Sequence, residues 1–243
     1  MRRSFPIVFI GLLMMGVGCR FVSTPMNTLA DHVILVTSDK IEIAALYRRN
    51  NDQKAAILLH MMPATKESWN SFAALLDRAG YASIAIDERG HGESTMQGTL
   101  NYQTFTEEQQ QQKIRDVQAA FDYLVAEGFD EKNMVVIGAS IGANLAIQFL
   151  SEHGTVPFAI ALSPGLNYRG VKTDGFITQL HENQHVVLVA SDDDDRDAAA
   201  SIQTLHKLNF SQTSLVEKKN IGHGTTMFEK DPALMQELIQ QLP

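Results

Sequence analysis

The feature that most constrains the fold is a regular alternation of short apolar runs with longer amphipathic segments. The short runs have the length of strands, and the longer segments carry apolar residues at helical spacing. Because each connecting helix packs back onto the sheet, strands that alternate with helices pair in parallel and are covered on both faces. The predicted strands are residues 55–59, 82–86, 134–137, 158–162, 186–190 and 214–216, and the predicted helices lie within residues 66–79, 107–127 and 196–208.

Two further apolar runs precede this alternation. Residues 33–36 and 41–47 are separated by Thr-Ser-Asp-Lys, which predicts an opening hairpin. Thr106 and Gln109 have the form of a capping box at the start of the helix predicted within 107–127. The glutamine run that follows is interpreted as the solvated face of that helix and is assigned no function.

The segment between residues 162 and 186 limits what can cover the carboxyl edge of the sheet. It holds only about two dozen residues, too few for a sizeable cap domain. We therefore expect little or no cap and a comparatively open site.

Composition adds two constraints. The chain has 243 residues and 44% hydrophobic content, enough to bury a sizeable core in one domain. Its formal net charge is −8, and loss of residues 1–18, which hold two arginines and no acidic residue, would take it to −10. An acidic chain is a poor partner for nucleic acid, so we expect no nucleic acid binding.

The N-terminal segment has the pattern of a secretory signal: two arginines, an apolar stretch over residues 7–17, and small residues before Cys19, the single cysteine. This pattern resembles a bacterial lipoprotein signal, which implies lipidation of Cys19, cleavage before it and a place in the cell envelope. Gly16 stands where that pattern usually has leucine. Arg20 after the cysteine favours the outer membrane by the same resemblance.

The resulting division of the chain is a lipoprotein-type signal peptide at 1–18, a tether at 19–30 and a domain at 31–243. The alternative for the first segment is an uncleaved membrane anchor, but the apolar stretch is shorter than the roughly 20 residues a span requires. A lipidated Cys19 would leave no thiol for a disulfide or for a cysteine nucleophile.

Gly-Ala-Ser-Ile-Gly at residues 138–142 lies between a predicted strand and a helix-like stretch, 143–151. A serine hydroxyl is a weak nucleophile unless a base takes its proton, and a sharp strand-to-helix turn presents it clear of the sheet. Gly138 and Gly142 suit such a turn because a side chain at either position would crowd the backbone that the turn brings close. Ser140 is therefore a candidate nucleophile.

Functional groups of an open parallel sheet gather at the carboxyl ends of its strands. Ser140 follows the predicted strand 134–137, an acidic cluster at residues 192–195 follows 186–190, and His223 follows the last strand. The order serine, aspartate, histidine is that of a catalytic triad on a hydrolase sheet.

Four motifs together carry a resemblance over most of residues 31–243: His-Met-Met-Pro at 60–63, Asp-Glu-Arg-Gly-His-Gly-Glu-Ser at 87–94, the serine turn, and Gly-His-Gly at 222–224. With these motifs the chain resembles the α/β-hydrolase fold family, and in particular its esterase-type members. The resemblance implies a three-layer α/β-hydrolase sandwich with a mostly parallel sheet of about eight strands and helices on both faces. It implies no metal and no organic cofactor.

The resemblance also implies residue roles. His223 would be the general base, while His91 would support the 87–94 loop and His60 would pack behind the oxyanion loop. Alignment of the acidic cluster with the family's usual strand end favours Asp194 as the triad acid, and Asp193 is the alternative. Crowded carboxylates raise one another's pKa values unless local N–H donors compensate.

The oxyanion would be bound by two backbone N–H groups, those of Ile141 and Met62. Similar sequences carry glycine where this chain has Met61, which places a thioether near the acyl pocket; the alternative is that both methionines are core residues. Trp69 is interpreted as a packing residue.

These observations favour a serine hydrolase that cleaves carboxylic esters of small molecules through an acyl-Ser140 intermediate. A peptidase or thioesterase would use the same three residues, whereas a dehalogenase would resemble the family with aspartate at position 140. The alternative from another class is a surface-anchored binding protein that keeps the fold without turnover, an interpretation motivated by Met61 and the acidic cluster.

Overall fold

A computed structural model describes residues 30–243. The signal peptide at 1–18, Cys19 and all but the last residue of the 19–30 tether lie outside the described residues and stay predictions. Within residues 30–243, no helix combines the length and the apolar character that a membrane crossing requires.

The centre of the molecule is an eight-stranded sheet of strand order β1-β2-β4-β3-β5-β6-β9-β10. β2 pairs antiparallel with β1 and β4, and the other neighbouring strands are parallel. The predicted hairpin and mostly parallel sheet are therefore confirmed. The strands of this sheet are β1 Asp31–Val36, β2 Glu42–Arg48, β3 Lys54–Leu59, β4 Tyr81–Ile86, β5 Met134–Ala139, β6 Phe158–Leu162, β9 His185–Ser191 and β10 Thr213–Lys218.

Helices cover both faces of the sheet. One face packs against α3 to α6, and the other packs against α1, α7 and α8. The three-layer sandwich expected from the sequence is therefore confirmed. The helices are α1 Asn70–Arg78, α2 Glu107–Gln111, α3 Ile114–Ala126, α4 Ile141–Glu152, α5 Thr173–Ile177, α6 Ala198–Leu208, α7 Met227–Lys230 and α8 Ala233–Ile239.

β3 shows how one strand serves two hydrophobic cores. Ile57 and Leu59 belong to the core under α3 and α4, whereas Leu58 belongs to the core under α1 and α8. Successive side chains of a strand point to opposite faces, so a continuous apolar run fills both layers. The same double burial holds the ends of the parallel strands in register at the carboxyl edge.

Two details differ from the sequence-based expectation. The helix predicted within 107–127 is interrupted between α2 and α3, where Lys113 turns a fully buried ammonium group toward Glu88. The capping box of Thr106 and Gln109 is present at the start of α2, as predicted. The segment after β6 forms a small hairpin, β7 Asn167–Tyr168 and β8 Val171–Lys172, followed by α5.

Candidate active site

Ser140 lies at the sharp turn between β5 and α4. Its backbone has φ 55° and ψ −119°, a conformation that non-glycine residues rarely adopt. The Ser140 N–H donates to the Leu162 carbonyl at 2.8 Å, which ties the turn to the neighbouring strand β6. Strain of this kind persists where the surrounding structure enforces it, and such positions cluster at functional sites.

The serine turn leaves no room for a side chain at either of its two glycines. A Cβ at Gly138 would lie 2.0 Å from the Gly142 carbonyl oxygen, and a Cβ at Gly142 would lie 2.5 Å from the Leu59 carbonyl oxygen. Both distances are well inside van der Waals contact. The expectation that side chains at these positions would crowd the turn is confirmed.

The structure brings Asp194 and His223 together at the carboxyl ends of β9 and β10. The Nδ1 atom of His223 lies 2.8 Å from Oδ2 and 2.9 Å from Oδ1 of Asp194, whose side chain is fully buried. Nδ1 therefore donates to the carboxylate, and Nε2 is left as the proton-accepting nitrogen of a neutral ring. That Nε2 atom is buried and has no hydrogen-bond partner among residues 30–243.

The turn that carries His223 lies against the serine turn. A Cβ added at Gly224 would lie 3.5 Å from the Cβ of Ala139, the residue before Ser140. The Ser140 side chain is 3% exposed and makes no hydrogen bond to another described residue. In enzymes, a hydrogen bond between nucleophile and base often tightens only when substrate is bound.

The aspartates of the acidic cluster have different hydrogen-bond partners. Asp192 accepts from the Asn220 N–H at 2.9 Å, and Asp193 accepts from the Ser191 hydroxyl at 2.6 Å and the Gly222 N–H at 2.8 Å. These bonds join the acidic loop to the histidine turn. Asp194, and not the alternative Asp193, is the carboxylate that reaches His223.

In this cluster, hydrogen-bond donors lower the carboxylate pKa values by more than the crowding of like charges raises them. The hydrogen bonds from Ser191 and Gly222 lower the pKa of Asp193. Burial alone would raise the pKa of Asp194, but hydrogen bonds from His223 and Ser163 bring it below its ordinary value. The rise expected from crowding is therefore not seen at either carboxyl group, because donors compensate.

Met62 and Ile141 carry the two N–H groups predicted to bind an oxyanion. Ile141 is the first residue of α4, where a backbone N–H has no partner inside the helix. Met62 N–H donates to no other described residue. A Cβ at Gly142 would lie 2.7 Å from the His60 carbonyl oxygen, so the loop after β3 and the first turn of α4 are adjacent.

Met61 is partly buried and packs against the core under α1 and α8. Its sulfur also approaches the histidine turn, because a Cβ at Gly224 would lie only 2.6 Å from it. The Met61 side chain therefore packs between this core and Gly224, the residue after His223.

His60 holds the same loop from behind. Its Nδ1 donates to the Met61 carbonyl at 3.0 Å, and its Nε2 accepts from the Glu88 N–H at 3.0 Å. Complete burial lowers the pKa of His60 and keeps the ring neutral. His60 thus lies behind the loop of Met61 and Met62, the loop for which the resemblance implies the oxyanion role.

The 87–94 loop is a buried ionic scaffold beside the site. Asp87 accepts from the backbone N–H and the ammonium of Lys66, each at 2.8 Å. The ammonium of Lys113 lies 2.8 Å from Glu88 Oε2 and 3.1 Å from His91 Nε2. His91 is therefore held in this scaffold, which agrees with its expected loop-supporting role.

Two residues of the site were missed by sequence reasoning. Ser163, with φ 52°, accepts the Gly224 N–H on its hydroxyl at 2.9 Å and so ties β6 to the histidine turn. Tyr168 of β7 presents its ring edge-on to His223, with ring centroids 6.4 Å apart. Ser163 directly follows a predicted strand and could have been found by that rule; the two-residue strand of Tyr168 gives no periodic signal.

The small hairpin makes the site less open than expected. Asn144 of α4 donates to the Val171 carbonyl at 2.8 Å and accepts from the Gly165 N–H at 3.0 Å, which fixes the hairpin over α4. With Tyr168 against it, His223 is only 14% exposed. No sizeable cap is present among residues 30–243, as predicted, yet a few residues suffice to cover the imidazole.

Two other expectations concern packing and metal binding. Trp69 is fully buried against Phe72 and Phe228 and is a packing residue, as expected. Asp194, Asp195 and His223 are the described residues whose ligand atoms come within 4.8 Å of one another and could hold a metal ion. The hydrogen bond from Nδ1 to Asp194 already explains the approach of that pair.

Comparison with known proteins places this geometry in a family. The sequence profile of the Hydrolase_4 family, described as serine aminopeptidase S33, matches residues 50–191, more than half of the chain. A putative non-heme chloroperoxidase of Synechocystis sp. is 28% identical over 111 residues, and a non-heme chloroperoxidase of Kitasatospora aureofaciens is 24% identical over 123 residues. These matches cover 44% and 50% of this chain, but only 36% and 39% of the relatives' own lengths.

The fold is also that of solved hydrolases. An esterase from Pyrococcus furiosus superposes with a TM-score of 0.73 at 18% identity, over 89% of this chain and 90% of that one. At this identity the likeness concerns the fold alone.

Proposed function

The chain belongs to the serine aminopeptidase S33 family of α/β hydrolases and is an enzyme of the hydrolase type, and from that premise we propose that it cleaves carboxylic esters through an acyl-Ser140 intermediate. The observation that carries the proposal is the buried Asp194–His223 pair, whose free Nε2 belongs to the turn that lies against Ser140. Acyl transfer by a serine hydrolase requires an acid, a base and a nucleophile, and these three residues are our candidates for those roles.

In the first half of the reaction, Ser140 Oγ attacks the ester carbonyl carbon while His223 Nε2 takes the hydroxyl proton. The imidazolium that forms is stabilised by Asp194, which accepts the Nδ1 proton in a hydrogen bond without itself becoming protonated. His223 then gives its proton to the alkoxide leaving group. The products of this half are an alcohol and the acylated serine.

The carbonyl oxygen becomes negatively charged at the tetrahedral stage. The N–H groups of Ile141 and Met62 come from adjacent segments and donate to no residue within 30–243, so they are available to bind this oxyanion. Preorganised donors of this kind contribute about 3 kcal/mol each to lowering the barrier. Water, activated by His223, then releases the acid and restores Ser140.

The test is hydrolysis of p-nitrophenyl esters from acetate to palmitate by the purified full-length chain, with Ser140→Ala beside it. Ser151→Ala is a matched control, because Ser151 lies on α4, the helix that Ser140 precedes, and within residues 30–243 its hydroxyl donates to the Gln148 carbonyl alone. We expect turnover that Ser140→Ala abolishes and Ser151→Ala retains. Equal turnover in all three proteins would contradict the proposal.

A labelling experiment separates catalysis from the alternative of a binding protein without turnover. A fluorophosphonate probe should label the wild-type chain at Ser140 and should fail to label Ser140→Ala. An unlabelled but well-folded wild-type chain would favour the binding protein.

The family description favours a peptidase as the second candidate, since an amide would be cleaved by the same three residues. Comparison of aminoacyl p-nitroanilides with p-nitrophenyl esters distinguishes the two. We expect the esters to be cleaved and the anilides to be cleaved far more slowly; the reverse would establish the peptidase.

We also propose that the chain is exported and anchored to the cell envelope through a lipid on Cys19. The proposal rests on the arginines, the apolar stretch and the single cysteine of the N-terminal sequence. Mass spectrometry of membrane fractions should detect a diacylglyceryl group on Cys19. A soluble chain that retains Met1 would contradict it.

A further inference from the structure

A cavity lies beside the loop that carries the proposed oxyanion donor Met62. Its volume is about 260 Å³, and its walls include Met62, Tyr102, Phe105, Gln110, Arg169 and Arg196. The cavity is distinct from the Asp194–His223 pair, yet it shares Met62 with the site. A group bound there would be part of the same substrate whose carbonyl oxygen meets the Met62 N–H.

The charged groups of this cavity are cationic. Arg169 comes from the turn of the β7–β8 hairpin, and it makes no ion pair with any residue between 30 and 243. Arg196 comes from the acidic loop, where its backbone N–H donates to Asp194 Oδ1 at 3.0 Å. Its guanidinium Nε lies 3.9 Å from Asp195 Oδ1, too far for a hydrogen bond. Both guanidinium groups therefore keep N–H donors available, in a chain whose overall charge is −8.

The backbone at Arg169 gives independent support. Arg169 and Gly170 form the two-residue turn of the hairpin, with φ values of 54° and 86°. Such turns favour asparagine, aspartate or glycine at both positions, because other side chains are strained at positive φ. The turn itself does not call for arginine there, and backbone strain concentrates at binding sites.

A third polar group faces the cavity. Gln110 is 2% exposed, and its amide nitrogen donates to the Tyr102 carbonyl at 2.9 Å. Its Oε1 atom is buried and has no hydrogen-bond partner among the described residues. A buried acceptor without a partner costs stability. An ionised carboxylate offers no donor to it, so the two arginines, and not Gln110, are the groups able to bind an anion in this cavity.

We propose that this cavity binds a carboxylate group of the substrate, so that the enzyme prefers esters that carry a negative charge. Arg169 and Arg196 would each donate charge-assisted hydrogen bonds to the carboxylate oxygens. The rest of the substrate would lie along the apolar surface of Tyr102, Phe105 and Met62. The proposal rests on the proposed ester hydrolysis, and it adds a substrate class to it.

The test compares p-nitrophenyl esters of three acyl groups of equal length. These are the monoester of adipic acid, which ends in a carboxylate, the ester of hexanoic acid, which ends in a methyl group, and the ester of 6-aminohexanoic acid, which ends in an ammonium group. A second pair places the carboxylate on the leaving group: hexanoyl esters of 4-nitrophenol and of 3-carboxy-4-nitrophenol. The measured quantity is the ratio of kcat/KM for the anionic ester to that for the neutral ester.

We expect the wild-type chain to prefer the anionic ester of at least one pair by about tenfold, because one to two charge-assisted hydrogen bonds favour it. Arg169→Gln and Arg196→Gln should each reduce that ratio about threefold, and the double variant should abolish the preference. Added salt should reduce it as well. Arg78→Gln is the matched control, since Arg78 is exposed at the end of α1, next to the amino end of β4; it should leave the ratio unchanged.

The outcomes separate this proposal from the one on which it rests. If the wild-type chain hydrolyses the neutral ester but shows no anionic preference in either pair, the cavity proposal is overturned and ester hydrolysis stands. Preference for the ammonium ester would also overturn it. If no ester is hydrolysed and Ser140 is not labelled by a fluorophosphonate, the proposed function itself fails.

Discussion

Two buried histidines of this chain meet opposite charges. His223 donates Nδ1–H to the carboxylate of Asp194 at 2.8 Å. His91 lies with Nε2 3.1 Å from the ammonium of Lys113, and its ring stacks on Tyr102 with centroids 3.8 Å apart. Each histidine lies between two glycines, so the local sequence does not distinguish them. Their surroundings in the fold do.

The surroundings of the two rings favour different roles. A carboxylate beside His223 stabilises the imidazolium that forms when a base takes a proton from serine. Burial, followed by the charge of Lys113 and the proximity of His60, lowers the pKa of His91 to about 2. His91 therefore binds a proton only weakly in the pH range where hydrolases work, and it is a poor general base.

The largest difference between the two histidines should appear in kcat. His223→Ala removes the proposed base and should lower kcat for p-nitrophenyl butyrate by roughly 10⁵-fold, because triad members act as a unit. His91→Gln should keep kcat within about tenfold of wild type, and circular dichroism of both variants checks that they fold. A comparable loss of kcat in a folded His91→Gln variant would break the distinction.

The neighbouring carboxylate can be tested next. Asp194→Asn keeps the size of the side chain but no longer stabilises an imidazolium, so kcat should fall about 10⁴-fold. Asp193→Asn is the matched control, since Asp193 bonds Ser191 and Gly222 but not His223, and its kcat should fall less than about tenfold. Steady-state kinetics at pH 8 measures both; equal losses would mean that the cluster acts collectively.

The lowered pKa of His91 predicts that the stability of the protein depends on pH. The folded-state pKa of about 2 lies below the ordinary value of 6.5, so between these values only the unfolded chain binds the proton. Stability is therefore lost as the pH falls below 6.5, by about 1.4 kcal/mol per pH unit from this group. Urea unfolding from pH 7.5 to pH 5 measures the slope, which should be shallower in a His91→Gln variant; identical slopes would contradict the assignment.

The smallest expected effect concerns Met61, which borders the His223 turn but carries no charge. Met61→Leu conserves volume, so the free energy of unfolding should change by less than about 1.5 kcal/mol. We expect kcat/KM for neutral esters to stay within about threefold of wild type. A loss beyond tenfold would show that the thioether takes part in the site instead of packing against it.

The sequence predicts strands and candidate site residues correctly where a residue pattern can arise from a single physical cause, such as burial. The apolar runs of β3 to β6 are long enough to show burial on both faces, and Ser140 follows one of them. Asp194 and His223 follow the later strands β9 and β10. The break between α2 and α3 could not be read, because it depends on a buried ion pair between Lys113 and Glu88 that are 25 positions apart in the chain. The β7–β8 hairpin has strands too short to show a period.

The amino-acid sequence by itself determined the order of strands and helices, the glycines at the serine turn and the edge of the sheet at which polar residues gather, because periodicity and steric demands are local. Only the tertiary structure decided which of four adjacent aspartates faces His223, that His91 faces a lysine, and that Arg169 and Arg196 share a cavity with Met62. Those outcomes depend on distances between residues far apart in the chain, and charge and hydrogen bonding act through space.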